Sequence, residues 1–325
     1  MLSLHDIKAL NIEISSRCAA HCPFCSRQQK VRPYGGHDIT LEAFKLLPRS
    51  LLERLQRISF AGNFGDFCAN HEFADIASYA RDVNADLLMD GDTNGAMQDE
   101  SWWKRLGPLF NSGSSMMFAL DGMADTHAIH RRGTSFKKII KHIEAFTSAG
   151  GTAYWKFIVF EHNEHQIYTA EALAKDIGCT GFFVIASRDY DETCRKPKAL
   201  DFQLKRDMFH ENWRTLSQKD RYAQCKPYDK GSIYIAADGT VHPCCFAHCM
   251  YITEHNDWFG YIVPLIEKYH SEINFKTRPL HEILQHPYFQ TVGEISKTND
   301  YCILKCNKHH KRIRENLVLH EKRFK

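Results

Sequence analysis

The chain has 325 residues, 43% of them hydrophobic and 25% charged, with a formal net charge of +3 at pH 7. That balance is ordinary for a folded globular protein, excludes a disordered polyelectrolyte, and gives no electrostatic argument for nucleic acid or an anionic membrane. No apolar run approaches the roughly 18 residues a membrane helix needs, and the N-terminus lacks a basic segment followed by an apolar core, so a cytoplasmic protein without membrane span or secretory signal is expected.

The first strand-like run, Leu10–Ser15, empties into Cys18, Cys22 and Cys25. Three soft ligands on a tight loop suit iron or zinc. Three is also one fewer than a closed site needs, so either a distant residue completes it or the position is open to something that is not protein. Twelve cysteines in a chain of this kind argue for metal or cluster ligation rather than disulfides, because the cytosol keeps thiols reduced. Besides the first three there is a C-terminal group, Cys225, Cys244, Cys245, Cys249, Cys302 and Cys306, and a scattered trio, Cys68, Cys179 and Cys194, read as small buried hydrophobes.

Further strand-like runs are Arg57–Ala61, Asp86–Asp90, Met116–Asp121, Ala153–Phe160 and Gly181–Ser187, separated by helix-like Leu41–Leu55, Glu72–Asp82, Ser101–Leu109, Phe136–Ser148 and His165–Asp176. The alternation implies parallel strands with crossover connections, hence a barrel or a doubly wound sheet. In the first strand Leu10, Ile12 and Ile14 share one face while Asn11, Glu13 and Ser15 share the other. A polar inner face favours a barrel with a wet or ligand-filled interior, and the expectation is an α/β partial (β/α)6 barrel over residues 1–190. Chemistry is then expected at the carboxyl ends of its strands. Those ends carry the cysteine loop, the glycine loop Ala61–Asp66, Asp92-Thr93-Asn94-Gly95, Asp121-Gly122 and the cationic stretch His130-Arg131-Arg132-Gly133. Lys156 lies in an otherwise apolar strand and either points into the cavity towards an anion or snorkels out; Arg188 raises the same choice.

Residues 191–220 read as a charged linker with a helix over Phe202–Thr215, its basic residues solvated. A small C-terminal α+β module over 221–325 then combines Cys225, a β-hairpin around Asp238-Gly239 leading to Cys244, a helix Leu280–Gln285 and the pair Cys302 and Cys306. Four thiolates are enough to close a cluster. Cys245 and Cys249 are alternative ligands, and a structural zinc is the competing occupant. The chain closes with Asn307–Arg312 and a charged, helix-like end through Arg323.

The three-then-two spacing of Cys18, Cys22 and Cys25 directly after the first strand resembles the cluster loop of radical S-adenosylmethionine (SAM) enzymes. The resemblance implies a TIM-type partial barrel in which these thiolates hold a [4Fe-4S] cluster chelated by SAM, reductive cleavage of SAM to a 5′-deoxyadenosyl radical, and abstraction of hydrogen from an unactivated carbon. It further implies that Phe24 packs near the adenine and that Gly62, Gly65, Asp66, Asn94, Asp121 and Arg132 contact SAM, with Asp66 standing where the family has a glutamate. Lys156 and Arg188 are the candidate catalytic residues. The C-terminal module resembles the twitch form of the SPASM domain, which implies one auxiliary [4Fe-4S] cluster on Cys225, Cys244, Cys302 and Cys306 as electron acceptor, substrate anchor or structural clip. The expected activity is oxidation or cross-linking of a peptide or protein side chain. Dehydrogenation of a small metabolite such as an aminocyclitol or sugar is the alternative, and a non-catalytic zinc module the remote one. A flavodoxin or ferredoxin is the expected electron donor. The first strand begins almost at once, leaving no expected room for an N-terminal peptide-recognition domain, which weakens the peptide reading unless that domain is a separate protein.

Overall fold

A computed structural model of the chain describes residues 2–199, 222–253, 260–306 and 318–324. In chain order the described strands are β1 (Ala9–Ile12), β2 (Arg57–Phe60), β3 (Leu88–Thr93), β4 (Ser115–Ala119), β5 (Ala153–Val159), β6 (Gly181–Ala186), β7 (Ser232–Ile235), β8 (Val241–His242) and β9 (Val318–Arg323). Helices including Phe73–Val83, Glu100–Leu106, Phe136–Ser148 and Ile167–Asp176 separate consecutive strands from β2 to β6. The chain packs as two compact units, each with its own core.

The first unit draws on the described residues of Met1–Arg17, Gln29–Leu88 and Arg206–Lys311. Its strand order is β8-β7-β1-β2. β1 runs parallel to β2, with Leu10 opposite Ile58, and parallel to β7, with Ile12 opposite Ile235; β7 and β8 form an antiparallel hairpin. Gly239, at φ 99°, takes the left-handed turn position between them. Leu10, Ile12, Ile58 and Phe60 are buried, and the rings of Phe60 and Phe73 meet edge to face at 4.9 Å. One helix over Leu41–Leu55 is not found: Leu41–Phe44 and Arg49–Leu52 are separate turns with Pro48 between them. Proline has no N–H to donate and disfavours helical backbone in the residue before it.

The second unit draws on Cys18–Gln28 and the described residues of Met89–Lys205 and Arg312–Lys325. Its order is β3-β4-β5-β6-β9, parallel from β3 to β6. In register, Thr93, Phe118, Trp155 and Phe182 form a row across the strands. The amphipathic helix Phe136–Ser148, capped by Ser135, covers that row and brings Phe146 to 5.7 Å from Phe118. Tyr154, Lys156 and Ile158 share the other, half-buried face of β5, as strand alternation requires.

The chain end departs from the expected basic helix. Val318–Arg323 is a strand, antiparallel to β6 with Val184 opposite His320. Charge alone carries no helical period, whereas the free edge of β6 offers a row of unpaired backbone groups that a final strand satisfies. The expected helix Phe202–Thr215 and the basic run Asn307–Arg312 lie outside the described residues. Cys68, Cys179 and Cys194 are buried. Among the described residues no helix is long and apolar enough to cross a membrane.

Candidate active site: a three-cysteine loop and a four-thiol cavity

In the second unit, Cys25 N donates to Cys22 O at 3.2 Å and Gln28 N to Cys25 O at 2.9 Å, so the three-cysteine loop turns tightly. Arg27 staples it, donating through Nη1 to the carbonyls of Cys18 and Ala20 at 3.0 and 2.9 Å. His21 N donates to Arg132 O at 2.8 Å, tying the loop to the segment after β4. There Gly133 has φ 81°, and a Cβ on it would stand 2.9 Å from Ala19 O. Only glycine permits that approach.

Two side chains reach the sulfurs. Asn94, just past β3, places Nδ2 3.2 Å from Cys18 Sγ, and its Oδ1 accepts from Ala96 N at 2.9 Å. Because a backbone N–H can only donate, that second bond fixes which end of the amide faces sulfur. Arg131 brings Nη1 to 3.8 Å from Cys22 Sγ. Its guanidinium is anchored by Asp121, whose Oδ2 accepts from Arg131 Nε at 2.5 Å and lies 2.6 Å from His130 Nδ1, while Oδ1 accepts from Ile158 N at 2.7 Å. Asp121 is fully buried. Burial alone would raise its pKa, but Arg131 and His130 hold it well below the usual carboxylate range. Burial works against the Arg131 charge, and Asp121 more than offsets that. The Cys22 thiol is pushed up by burial, partly opposed by Arg131.

His127 completes this packing as a neutral ring, its Nδ1 accepting from Asp121 N at 3.3 Å and its Nε2 2.9 Å from Thr134 Oγ1. Burial lowers its pKa from 6.5 to about 4. A histidine depressed in the folded state contributes stability that is complete above pH 6.5 and is lost as pH falls through 4. The native chain is therefore expected to lose up to about 3 kcal/mol more than a His127→Gln variant across that window, at 1.36 kcal/mol per pKa unit. Parallel urea melts at several pH values check this; identical pH slopes would refute it.

The expected contact residues fall out as follows. Phe24 is half-buried, its ring 6.2 Å from His130 and 6.4 Å from Phe160. Asn94 and Asp121 spend the bonds above on Cys18, Arg131 and His130. Arg131 rather than Arg132 is drawn to Asp121 and Cys22; Arg132 is exposed, its Nε donating to Ile129 O at 3.3 Å. Lys156 Nζ pairs with Asp92 Oδ1 at 2.6 Å on the half-buried face of β5. Arg188 is exposed.

In the first unit, the glycine loop after β2 closes over Glu13. Glu13 Oε1 accepts from Phe64 N at 2.7 Å and Gly65 N at 3.0 Å, and Oε2 from the hydroxyls of Tyr34 at 2.9 Å and Tyr234 at 3.3 Å. Burial raises the Glu13 pKa against these four donors. A Cβ on Gly62 would stand 2.4 Å from Glu13 Oε1, and one on Gly65 1.8 Å from Ser15 O. Asp66 Oδ1 accepts from Cys68 N at 3.1 Å and caps the short turn Phe67–Ala69.

The same unit brings Cys225, Cys244, Cys302 and Cys306 onto one cavity. Cys225 precedes the helix Lys226–Lys230, Cys244 follows β8, and Cys302 and Cys306 share one face of the helix Asp300–Cys306. Gln224 N donates to Cys306 O at 2.8 Å, joining the two ends of the module. Tyr261 Oη lies 3.6 Å from Cys302 Sγ, and Lys226 and Lys305 also line the cavity, each 5.9 Å from the Phe246 ring. Burial pushes Cys225 up to about 12 and Cys302 to about 11, and Cys244 well above its ordinary value. Such thiols give up their protons to a bound cation rather than to water. Cys245 and Cys249 do not line the cavity; the Cys245 carbonyl accepts from Asn63 Nδ2 at 2.8 Å, and Cys249 packs against Tyr34, Phe64 and Ile252.

Among the described residues no three histidine, cysteine, aspartate or glutamate side chains are placed to hold a single metal ion. An iron–sulfur cluster spreads its thiolates over several irons, and the all-sulfur donor sets of the loop and the cavity fit that chemistry. The sequence model of the radical SAM superfamily matches residues 12–173, and that of the SPASM iron–sulfur cluster-binding domain matches residues 225–308. No protein of curated function matches the sequence. Among solved structures, Streptococcus suis SuiB bound to SAM superposes with TM-score 0.53 at 15% identity, over 73% of this chain and 60% of that one. SuiB bound to precursor peptide SuiA gives TM-score 0.60 at 12% identity, over 96% and 74%. Native anSMEcpe with bound SAM and the Cp18Cys peptide gives TM-score 0.55 at 17% identity, over 96% and 87%. At these identities the likeness is one of fold, and the chain spans less than two thirds of the SAM-bound SuiB structure.

Proposed function

Because the chain belongs to the radical SAM superfamily and carries that family's iron–sulfur cluster-binding domain at its C-terminal end, we propose that it oxidises or cross-links a peptide or protein side chain. The observation that carries the oxidative reading is the cavity with four thiols, because a site closed by protein ligands has no open iron to offer and suits electron transfer. When bound, the first cluster and SAM supply a radical that removes a hydrogen atom from an unactivated carbon, and the auxiliary cluster supplies an acceptor for the electron left behind.

The chain's own residues hold and shape these sites. Cys18, Cys22 and Cys25 would ligate the first cluster, with Phe24 an apolar surface for the adenine of SAM. Cys225, Cys244, Cys302 and Cys306 ligate the second, and Lys226 and Lys305 place positive charge at its cavity. Removing a hydrogen atom, an electron and a proton leaves the product two hydrogens lighter. The peptide as substrate class is supported by two solved structures of this fold that hold peptides. A redox protein of the flavodoxin or ferredoxin type is the matching donor.

The test is a Cys302→Ala variant assayed with a mixed peptide library. It is expected to keep forming 5′-deoxyadenosine while losing the product two hydrogens lighter that the native chain makes. Full product formation by the variant would refute the role of the second cluster as acceptor.

A further inference from the structure

We infer that Asn94 and Arg131 set the reduction potential of the cluster held by Cys18, Cys22 and Cys25, by donating hydrogen bonds to two of its three thiolates. The inference rests on reading that loop as the cluster site. It gives Asn94, Arg131 and, through Arg131, Asp121 a role at the sulfur ligands.

Cluster potentials respond to hydrogen bonds at the sulfurs, to nearby charge and to solvent exposure. Two of those factors are built in here. Asn94 Nδ2 stands 3.2 Å from Cys18 Sγ, and Arg131 Nη1 stands 3.8 Å from Cys22 Sγ. Each donor draws electron density from a thiolate, which favours the reduced cluster and raises its potential.

Neither donor is a chance neighbour, because each is fixed from behind. The Asn94 amide is oriented by Ala96 N on its Oδ1. Arg131 is fixed by Asp121, itself buried and held by His130 and by Ile158 N at the far side of the carboxylate. Charge-assisted bonds inside a dry site hold their geometry and need no reorganisation when the charge beside them changes. Asp121 is thus a positioning residue acting through Arg131. Among the described residues, side-chain donors reach Cys18 and Cys22, so these two sulfurs are the ones held by hydrogen bonds.

The test uses the full chain reconstituted anaerobically with iron and sulfide. Redox titration is followed by electron paramagnetic resonance, reading the signal that responds to added SAM. Asn94→Leu and Arg131→Gln are expected to shift the midpoint to more negative potential, and Arg131→Lys, which keeps the charge, to return it towards the native value. A merely structural role would alter iron content or thermal stability and leave the potential of the loaded cluster unmoved. Unchanged midpoints in Asn94→Leu and Arg131→Gln at native iron content would overturn the inference.

A second measurement needs no variant to fold. In the native chain labelled with 15N at asparagine side chains, pulsed resonance of the reduced cluster without SAM is expected to show a 15N coupling from Asn94. Its absence would overturn the assignment to Asn94 whatever the variants do. A native chain that takes up no cluster at all would instead overturn the radical SAM reading, and the inference with it.

Discussion

Replacing Asp121 by alanine is expected to cost about 3–5 kcal/mol of folding stability, the range for removing one partner of a buried ion pair. Asp121 is fully buried, and the Arg131 side chain it anchors is only 13% exposed. Without the carboxylate, Arg131 keeps a charge with little water to solvate it, His130 Nδ1 loses its partner at 2.6 Å and Ile158 N loses its acceptor at 2.7 Å. Three buried polar groups are stranded by one change. Asp121→Asn should cost less, because an amide oxygen still accepts from Ile158 N or Arg131 while the charge compensation is gone. The double variant Asp121→Ala with Arg131→Met should recover part of the loss, since removing both charges leaves no ion unpaired. Equilibrium urea unfolding of the three variants against the native chain tests this, and a loss under about 1 kcal/mol for Asp121→Ala, typical of an exposed pair, would contradict it.

Gly65→Ala carries the next largest effect, in the first unit. A Cβ there would lie 1.8 Å from Ser15 O and 2.6 Å from Ser15 C, backbone atoms that no rotamer can move aside. The loop after β2 would have to withdraw, taking with it the Gly65 N–H that Glu13 accepts at 3.0 Å. Overpacking of this kind costs about 1–3 kcal/mol when side chains adjust and more when backbone must shift, and a stranded acceptor on buried Glu13 adds about 1–3 kcal/mol. Gly150→Ala is the control for a Cβ added into open space. Unlike Gly65 it has a left-handed backbone, at φ 88°, but nothing stands within 4 Å of its added Cβ, so its cost should stay near the roughly 1–2 kcal/mol of left-handed strain. Thermal melts in which both variants lose equal stability would contradict the assignment of Gly65 to close backbone contact.

The strands and crossover helices were legible because period and length agree in each segment. Phe136–Ser148 has an apolar stripe and a serine cap, and its predicted bounds coincide with the observed helix. The long apolar pattern of Leu41–Leu55 reads as one helix, but it contains Pro48, and a proline inside such a pattern is the stronger signal. The charge of the chain end suggests a solvated helix, whereas its pairing with β6 is decided by an edge distant in sequence.

Site residues divide along a similar line. The spacing of Cys18, Cys22 and Cys25 is local and could be read directly. Arg131 and Arg132 are adjacent, and only packing against Asp121 separates the one inside from the one outside. Glu13 was placed on the polar face of the first strand, but its four donors come from Tyr34, Phe64, Gly65 and Tyr234, residues with no sequence relation to it. Lys226 and Lys305 at the four-thiol cavity are of the same kind. Hydrogen-bond partners contributed by distant segments leave no spacing to read.

The central claim is that this chain performs radical SAM chemistry through Cys18, Cys22 and Cys25. Its most direct test is anaerobic reconstitution with iron and sulfide, reduction in the presence of SAM, and quantification of 5′-deoxyadenosine and iron for the native chain and for the variant Cys18→Ala, Cys22→Ala, Cys25→Ala. The account predicts 5′-deoxyadenosine from the native chain alone, with part of the iron retained by the variant in its C-terminal cavity. Equal 5′-deoxyadenosine from both proteins would contradict it.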